Sequence, residues 1–230
     1  MILKRALTLV VMTSAMWLAA CGNDERQSDF KEIRSLVSER FKGGQQAPDA
    51  AASGANLEVV SKLAARVMPP GDPLTAIRFD SVGIATVLRQ IETNGRHLPW
   101  AALGKTDRKY IVTKDGMIVA TRGLVQDLMS AESDAVHALV RKRDEGDVPY
   151  TLRYIDGDYE IIEAKYTCTV SRGYDKVVEL ADGSVVPVLQ MFSSCVSTDR
   201  QFVDLFLVDP SGDIVEMRQW VGPVLGFANM

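Results

Sequence analysis

The chain has 230 residues, of which 47% are hydrophobic and 7% aromatic, enough apolar material for one domain with a real core or for two small ones. Its formal charge is −4, which makes it a poor fit for nucleic acid, whose phosphates repel an acidic protein, and no nucleic-acid partner is expected. With two histidines and three cysteines, the inventory for metal or nucleophilic chemistry is short.

The chain opens on Lys4 and Arg5, followed by a nearly unbroken apolar run over 6–18, the layout of a secretory signal. The run falls short of the roughly 20 residues a spanning helix needs and gives way to Gly-Asn-Asp-Glu-Arg, which no bilayer interior accepts. The residues Leu18-Ala19-Ala20-Cys21 resemble the lipobox of bacterial lipoproteins. That resemblance implies cleavage before Cys21 and acylation of its thiol with several chains, palmitate among them, which together hold firmly to a membrane. Gly22, in place of Asp, implies transfer to the outer membrane, facing the periplasm. The alternative is an ordinary cut after Ala20 with Cys21 a bystander. Loss of residues 1–20 removes Lys4 and Arg5 and no acid, taking the formal charge from −4 to −6.

Asp29 and Glu32 sit at capping positions, and Phe30, Ile33, Val37 and Phe41 recur at helical spacing before Gly43-Gly44. The Gly-, Ala- and Gln-rich stretch 44–56 has no periodic face and reads as a tether. A second helix is expected over 57–67, with Asn56 as cap and Leu57, Val60, Leu63 and Val67 on one face, stopped by Pro69-Pro70-Gly71. The domain plan is therefore a signal peptide at 1–20, an anchor with short helix and tether at 21–56, and a β-rich domain at 57–230.

From residue 74 the apolar spacing shortens to that of strands. Runs at 74–80 and 84–93 end on Asn94-Gly95, and runs at 108–114 and 117–122 flank Asp115-Gly116, both pairs that favour tight hairpins. A helix is expected over 125–143, with Leu128, Val136, Leu139 and Val140 inward and Arg141-Lys142-Arg143 in solvent. Six further runs, at 150–155, 159–171, 176–180, 185–194, 202–208 and 214–221, are separated by Asp156-Gly157, Arg172-Gly173, Asp182-Gly183 and Pro210-Ser211-Gly212. Short strands joined by tight turns predict a β-rich α+β fold, in which curled antiparallel sheets form a sandwich or open barrel, with short helices near the N-terminus and mid-chain.

Cys168 and Cys195 remain once Cys21 is given to lipid. In an oxidising periplasm an even pair is most simply a disulfide between neighbouring strands, with Cα atoms about 4.4 to 6.8 Å apart; two buried free thiols are the alternative. Neither cysteine lies in a metal-ligand or redox spacing. His97 reads as a loop residue and His137 as a helical one amid apolar neighbours, both structural. The carboxylates Asp156, Asp158, Glu160 and Glu163 crowd one hairpin, the place to look for a glycan-cleaving acid pair. Asp156 and Asp158 bracket a turn glycine, however, and alternation separates Glu160 from Glu163. A solvated hairpin is the simpler reading, and no cofactor or metal is expected.

Two longer strings resemble the YjbF/GfcB family of group 4 capsule and exopolysaccharide lipoproteins. One is Gly116-Met117-Ile118-Val119-Ala120-Thr121-Arg122-Gly123-Leu124 with Asp127-Leu128; the other is Arg218-Gln219-Trp220-Val221-Gly222-Pro223. The resemblance implies a β-rich outer-membrane lipoprotein, not an enzyme, acting as an accessory factor in capsule or exopolysaccharide secretion and assembly. Its partners would be the membrane through Cys21 and the export machinery or the polysaccharide itself. Trp220, Arg218 and Trp100 are the candidate contact surface, with core packing as the competing role for both tryptophans. A periplasmic glycan-modifying enzyme and a lipid or lipoprotein carrier are the alternatives. Converging carboxylates would favour the enzyme, an apolar cavity the carrier and an exposed aromatic patch the accessory factor.

Overall fold

A computed structural model describes residues 73–103, 109–155, 159–180 and 183–230. The helices expected over 29–41 and 57–67, the tether between them and Cys21 lie outside the described residues. The described chain forms twelve strands: β1 (Leu74–Phe79), β2 (Ile84–Gln90), β3 (His97–Ala102), β4 (Tyr110–Lys114), β5 (Met117–Arg122), β6 (Leu128–Glu132), β7 (Gly146–Ile155), β8 (Ile161–Glu179), β9 (Val185–Val196), β10 (Gln201–Val208), β11 (Ile214–Gly222) and β12 (Gly226–Asn229). One helix, α1 (Asp134–Lys142), stands among the described residues between β6 and β7.

All twelve strands join one antiparallel sheet in the order β5-β4-β3-β2-β1-β12-β11-β10-β9-β8-β7-β6. The sheet curls until its two edge strands, β5 and β6, meet in a nearly closed barrel, the open-barrel form of the expected fold. Antiparallel succession sends alternate connections to opposite ends. The turns at 80–83, 197–200 and 222–226 lie at one end, called here the upper end. The turn at 115–116, the turn at 209–213 and α1 lie at the lower end.

Alternation explains the strands. In β8, Tyr166, Cys168 and Val170 point inward and are buried, while Lys165, Thr167 and Thr169 are exposed. The interior is filled by side chains from both walls, among them Ile77, Phe79, Leu88, Ile111, Leu128, Leu152, Met191 and Phe206. Each such fully buried residue contributes about 1.5–3 kcal/mol. The barrel is flattened, with β5 lying against β11: a Cβ on Gly116 would come within 2.8 Å of the Ile214 Cβ.

The closure between β5 and β6 depends on side chains. The Asp127 carboxylate accepts from the Gly123 and Leu124 amides and from the Thr121 hydroxyl, which in turn accepts from the Leu128 amide. Arg122 donates to the Leu128 and Met129 carbonyls. From the opposite wall, the buried amide of Gln219 accepts from the Ile118 N–H at 2.8 Å and donates to the Ile118 carbonyl at 2.9 Å. An edge that would otherwise hold unpaired backbone groups in the core is thereby satisfied.

The structure revises three expected elements. The stretch expected as a helix over 125–143 divides into β6 and the shorter α1, because Leu128 to Glu132 pair with β7. His97 begins β3 and is not a loop residue. Arg172-Gly173 is no turn; β8 runs through it for 19 residues with a register shift between Arg172 and Asp175. Gly173 is required there for space, since a Cβ would lie 2.7 Å from the Phe192 ring. Asp115-Gly116 does form a tight turn, with φ of 48° and 91°.

Candidate functional site at the upper end of β10 and β11

Strands β10 and β11 pair from Leu205↔Arg218 toward the lower end, with a register shift between Leu207 and Val208. Above the Leu205↔Arg218 pair, the Trp220 amide donates to the side chain of Asp204 at 2.7 Å. The two strands part here, and aromatic rings occupy the gap. Phe202 and Trp220 stack with centroids 5.6 Å apart, and Trp220 meets Phe227 edge-on at 5.3 Å. The row continues inward through Tyr166, 5.0 Å from Phe202, to Tyr150. Two cations cover its outer rim: the Arg200 guanidinium lies 5.1 Å from the Trp220 ring, and that of Arg218 lies 3.5 Å from Phe227. Arg218 also faces Asp80 at 3.5 Å, and Asp80 accepts from Asn229.

Asp204 sits under this rim with 1% of its surface exposed. Burial pushes its carboxyl up to about 8, against the opposing effects of the Trp220 amide and the Arg218 charge. Tyr150 and Tyr154, buried in the same interior, are likewise pushed up by desolvation.

Trp220 and Arg218 are thus brought together, Trp220 at 9% exposure as the middle of the aromatic row and Arg218 over its edge. Trp100 is placed apart on β3, where its indole N–H donates to the Thr113 hydroxyl at 2.9 Å in the core. Cys168 and Cys195 are joined in a disulfide between directly opposed positions of β8 and β9. Their Cα atoms are 4.0 Å apart, closer than the expected range, because the strands already bring these partners face to face. Sequence reasoning missed Arg200, Phe202, Phe227 and Asp204. Alternation with Phe202 and Phe206 would have placed Asp204 inward.

Glu163, exposed on β8, pairs with Arg153 at 2.7 Å and Lys165 at 3.0 Å, and these partners, Lys165 first, hold it below the usual carboxylate range. Asp156 and Asp158 lie outside the described residues. His137 is 2% exposed, and its Nε2 donates to the Asp115 carbonyl at 2.9 Å, fastening α1 to the β4–β5 turn. Burial lowers its pKa, so the ring is neutral. A half-open pocket of about 410 Å³ beside it is lined by Arg96 and Arg141, which pair with Asp115, and by Asp134, which pairs with Lys114. Burial pushes Asp115 up, but the Arg96 hydrogen bond and the surrounding charges outweigh it and keep the carboxyl ionised.

A single, nearly closed antiparallel barrel, fastened across its seam by Asp127 and Gln219, defines the class of protein. The two strings that carry those residues fall within a match to the family model of the group 4 capsule polysaccharide lipoprotein GfcB, YjbF, over residues 56–230, and the chain belongs to that family. Among solved structures it resembles the hypothetical lipoprotein YmcC from Escherichia coli, at 18% identity and a TM-score of 0.60, over 81% of this chain and 95% of that one. That likeness concerns the fold. No curated protein matches the sequence.

Proposed function

We propose that the protein is an outer-membrane lipoprotein, acylated at Cys21 and facing the periplasm, that serves as a non-catalytic accessory factor in secretion or assembly of a capsule or exopolysaccharide. The observation that carries this reading is the family match over 56–230, a family described by its capsule polysaccharide lipoproteins. The arginine-rimmed aromatic row at the upper end is the surface proposed to meet the export machinery or the glycan, since ring faces and guanidinium groups suit both. Side chains from both walls filling the interior favour this role over that of a lipid carrier. The ion pairing of Glu163 favours it over that of a glycan-modifying enzyme.

Deletion of the gene tests the proposal. Secreted polysaccharide should fall while intracellular synthesis continues. Complementation with Glu163→Gln should restore secretion, and complementation with Arg200→Ala/Arg218→Ala should not. A folded Glu163→Gln protein that fails to restore secretion would transfer the argument to the enzyme reading.

A further inference from the structure

The upper end of the barrel carries apolar side chains that its core does not use. Strands β5 and β7 end there and β6 and β8 begin there, so residues 123–127 and 159–161 share that end with the turns at 197–200 and 222–226. Val125, Tyr159, Ile161, Val196, Val203 and Val224 are exposed around it, over 39% to 87% of their surface. They form an arc, because the strands that carry or flank them, β11 back to β6, are successive neighbours in the sheet. Adjacent residues in the same turns are absorbed by packing: Leu225 is fully buried and Leu124 packs on the core. Val125 and Val224 belong to no such cluster, at positions where turns ordinarily hold Gly, Asn, Asp or Ser. At the lower end Ile91 stands alone, and the exposed Tyr174, Val177 and Val185 of the β8–β9 hairpin are interleaved with Asp175, Lys176 and Glu179.

We infer that this arc docks the barrel on the phospholipid surface that holds the lipoprotein, its apolar side chains entering among the headgroups. The inference rests on the membrane address proposed above and adds which end of the barrel is turned to the bilayer. The chain belongs to a lipoprotein family, so a bilayer is the surface within its reach. All the arc residues but Tyr159 are Val or Ile, spread over four separate connections. Aliphatic tips spaced in this way leave gaps against a rigid partner, whereas fluid acyl chains close around them; the anchors of protein interfaces are Trp, Tyr and Arg, with Val under-represented. Tyr159 is the residue type that settles between headgroups and acyl chains. Charge is complementary as well. Asp199 and Arg200 are exposed in the 197–200 turn and form no ion pair among the described residues, and phospholipid headgroups offer ammonium to the one and phosphate to the other. Seated this way, the aromatic row with Arg200 and Arg218 lies within the arc and faces the bilayer, so a partner that meets it lies in the membrane or crosses it.

The mature lipoprotein in vesicles of phosphatidylethanolamine and phosphatidylglycerol provides the test, and it does not depend on the proposed role in secretion. A nitrobenzoxadiazole fluorophore is placed on Val125→Cys, Val203→Cys or Val224→Cys, and on Val177→Cys of the lower hairpin; Cys168 and Cys195 are bonded to each other and do not label. Lipid carrying a nitroxide high on its acyl chain should quench each upper site roughly threefold or more above Val177→Cys. Equal quenching, or more at Val177→Cys, would overturn the inference. To show that the label does not drive its own insertion, Val125→Asp/Val224→Asp should roughly halve the quenching read at Val203→Cys, and an unchanged signal would overturn the inference. Both aspartates fall at exposed positions, and should that variant fail to fold, the comparison of upper and lower sites decides alone. The mass of the mature chain reports acylation separately. An unacylated chain that floats with the vesicles and keeps the quenching ratio would remove the Cys21 reading and uphold the docking surface, whereas a chain that does not float would overturn it. Energy transfer between copies labelled at Val203→Cys, without quenching by lipid, would give the arc to a second copy and overturn the inference.

Discussion

Replacement of Asp204 by asparagine should remove a pH dependence of stability that the wild-type protein carries. The free carboxyl titrates near 3.9, and in the fold burial raises it to about 8. Between those limits the unfolded chain gives up the proton and the folded chain keeps it, so the folded state binds more protons. The contribution of this group is therefore greatest below about pH 4 and is lost as pH rises toward 8, at about 1.36 kcal/mol per pH unit. From pH 5 to pH 8 the loss from this one group is about 4 kcal/mol by that slope, an upper figure for a site that relaxes when charged. For a domain of this size the corresponding fall in Tm is roughly 10 °C. Asparagine keeps an oxygen in place to accept the Trp220 amide and carries no charge. Urea denaturation of both proteins at pH 5, 6, 7 and 8 isolates the effect, because His137 and every other titrating group are common to the pair. The wild type should lose stability relative to Asp204→Asn at each step. Parallel curves, or a wild type that gains on the variant as pH rises, would refute the burial argument.

Gln219→Leu should lower stability by about 3 kcal/mol, since it leaves the Ile118 N–H and carbonyl unpaired inside the barrel, and a urea midpoint shift without a change in slope would show it. Cys168→Ala/Cys195→Ala should cost about 3–4 kcal/mol in the chain-entropy model for a bridge spanning 27 residues, while adding reductant should no longer alter the variant's melting. Cys21→Ser should abolish labelling by a palmitate analogue and leave an unprocessed precursor, and a variant that labels like the parent would remove the lipobox reading.

The sequence made the β-rich class, the opposed cysteines and most of the hairpins legible because their signals are local. Asp115-Gly116 needs two positive φ angles and receives them, and the alternation in β8 places Cys168 inward. What stayed hidden depends on distant neighbours. His97 reads as a loop residue, yet it pairs with Lys114 of β4, and the neighbouring Pro99, which has no N–H to give, still accepts from the Ile91 amide at 3.0 Å. Leu128 to Glu132 run into α1 without a break in apolar spacing, and only their pairing with β7 makes them a strand. Gly173 carries a turn signal that the partner strand overrides, because the space it leaves is filled by Phe192. At the candidate site, Trp220 and Arg218 stood in a quoted string, but Arg200, Phe202 and Phe227 join them only where β10 and β11 part.

The two family strings owe their residue types chiefly to closing the barrel. Thr121, Arg122, Gly123, Leu124 and Asp127 make the bonds that stand in for a β5–β6 ladder. Gln219 fastens β5 from the opposite wall, and Gly222 leaves room for the Tyr154 ring, which a Cβ would approach to 3.2 Å. A sheet whose edges are sealed this way needs no further strand and offers little edge for unwanted pairing. Likeness in these strings therefore transmits a scaffold, whereas the recognition proposed for the rim draws mostly on side chains outside them. Arg200, Phe202 and Phe227 lie outside both strings, and Arg218 and Trp220 are the residues through which the closure string reaches the rim. Selectivity for a particular partner should accordingly follow changes at Arg200 and Phe227, while changes at Asp127 or Gln219 should act through stability alone.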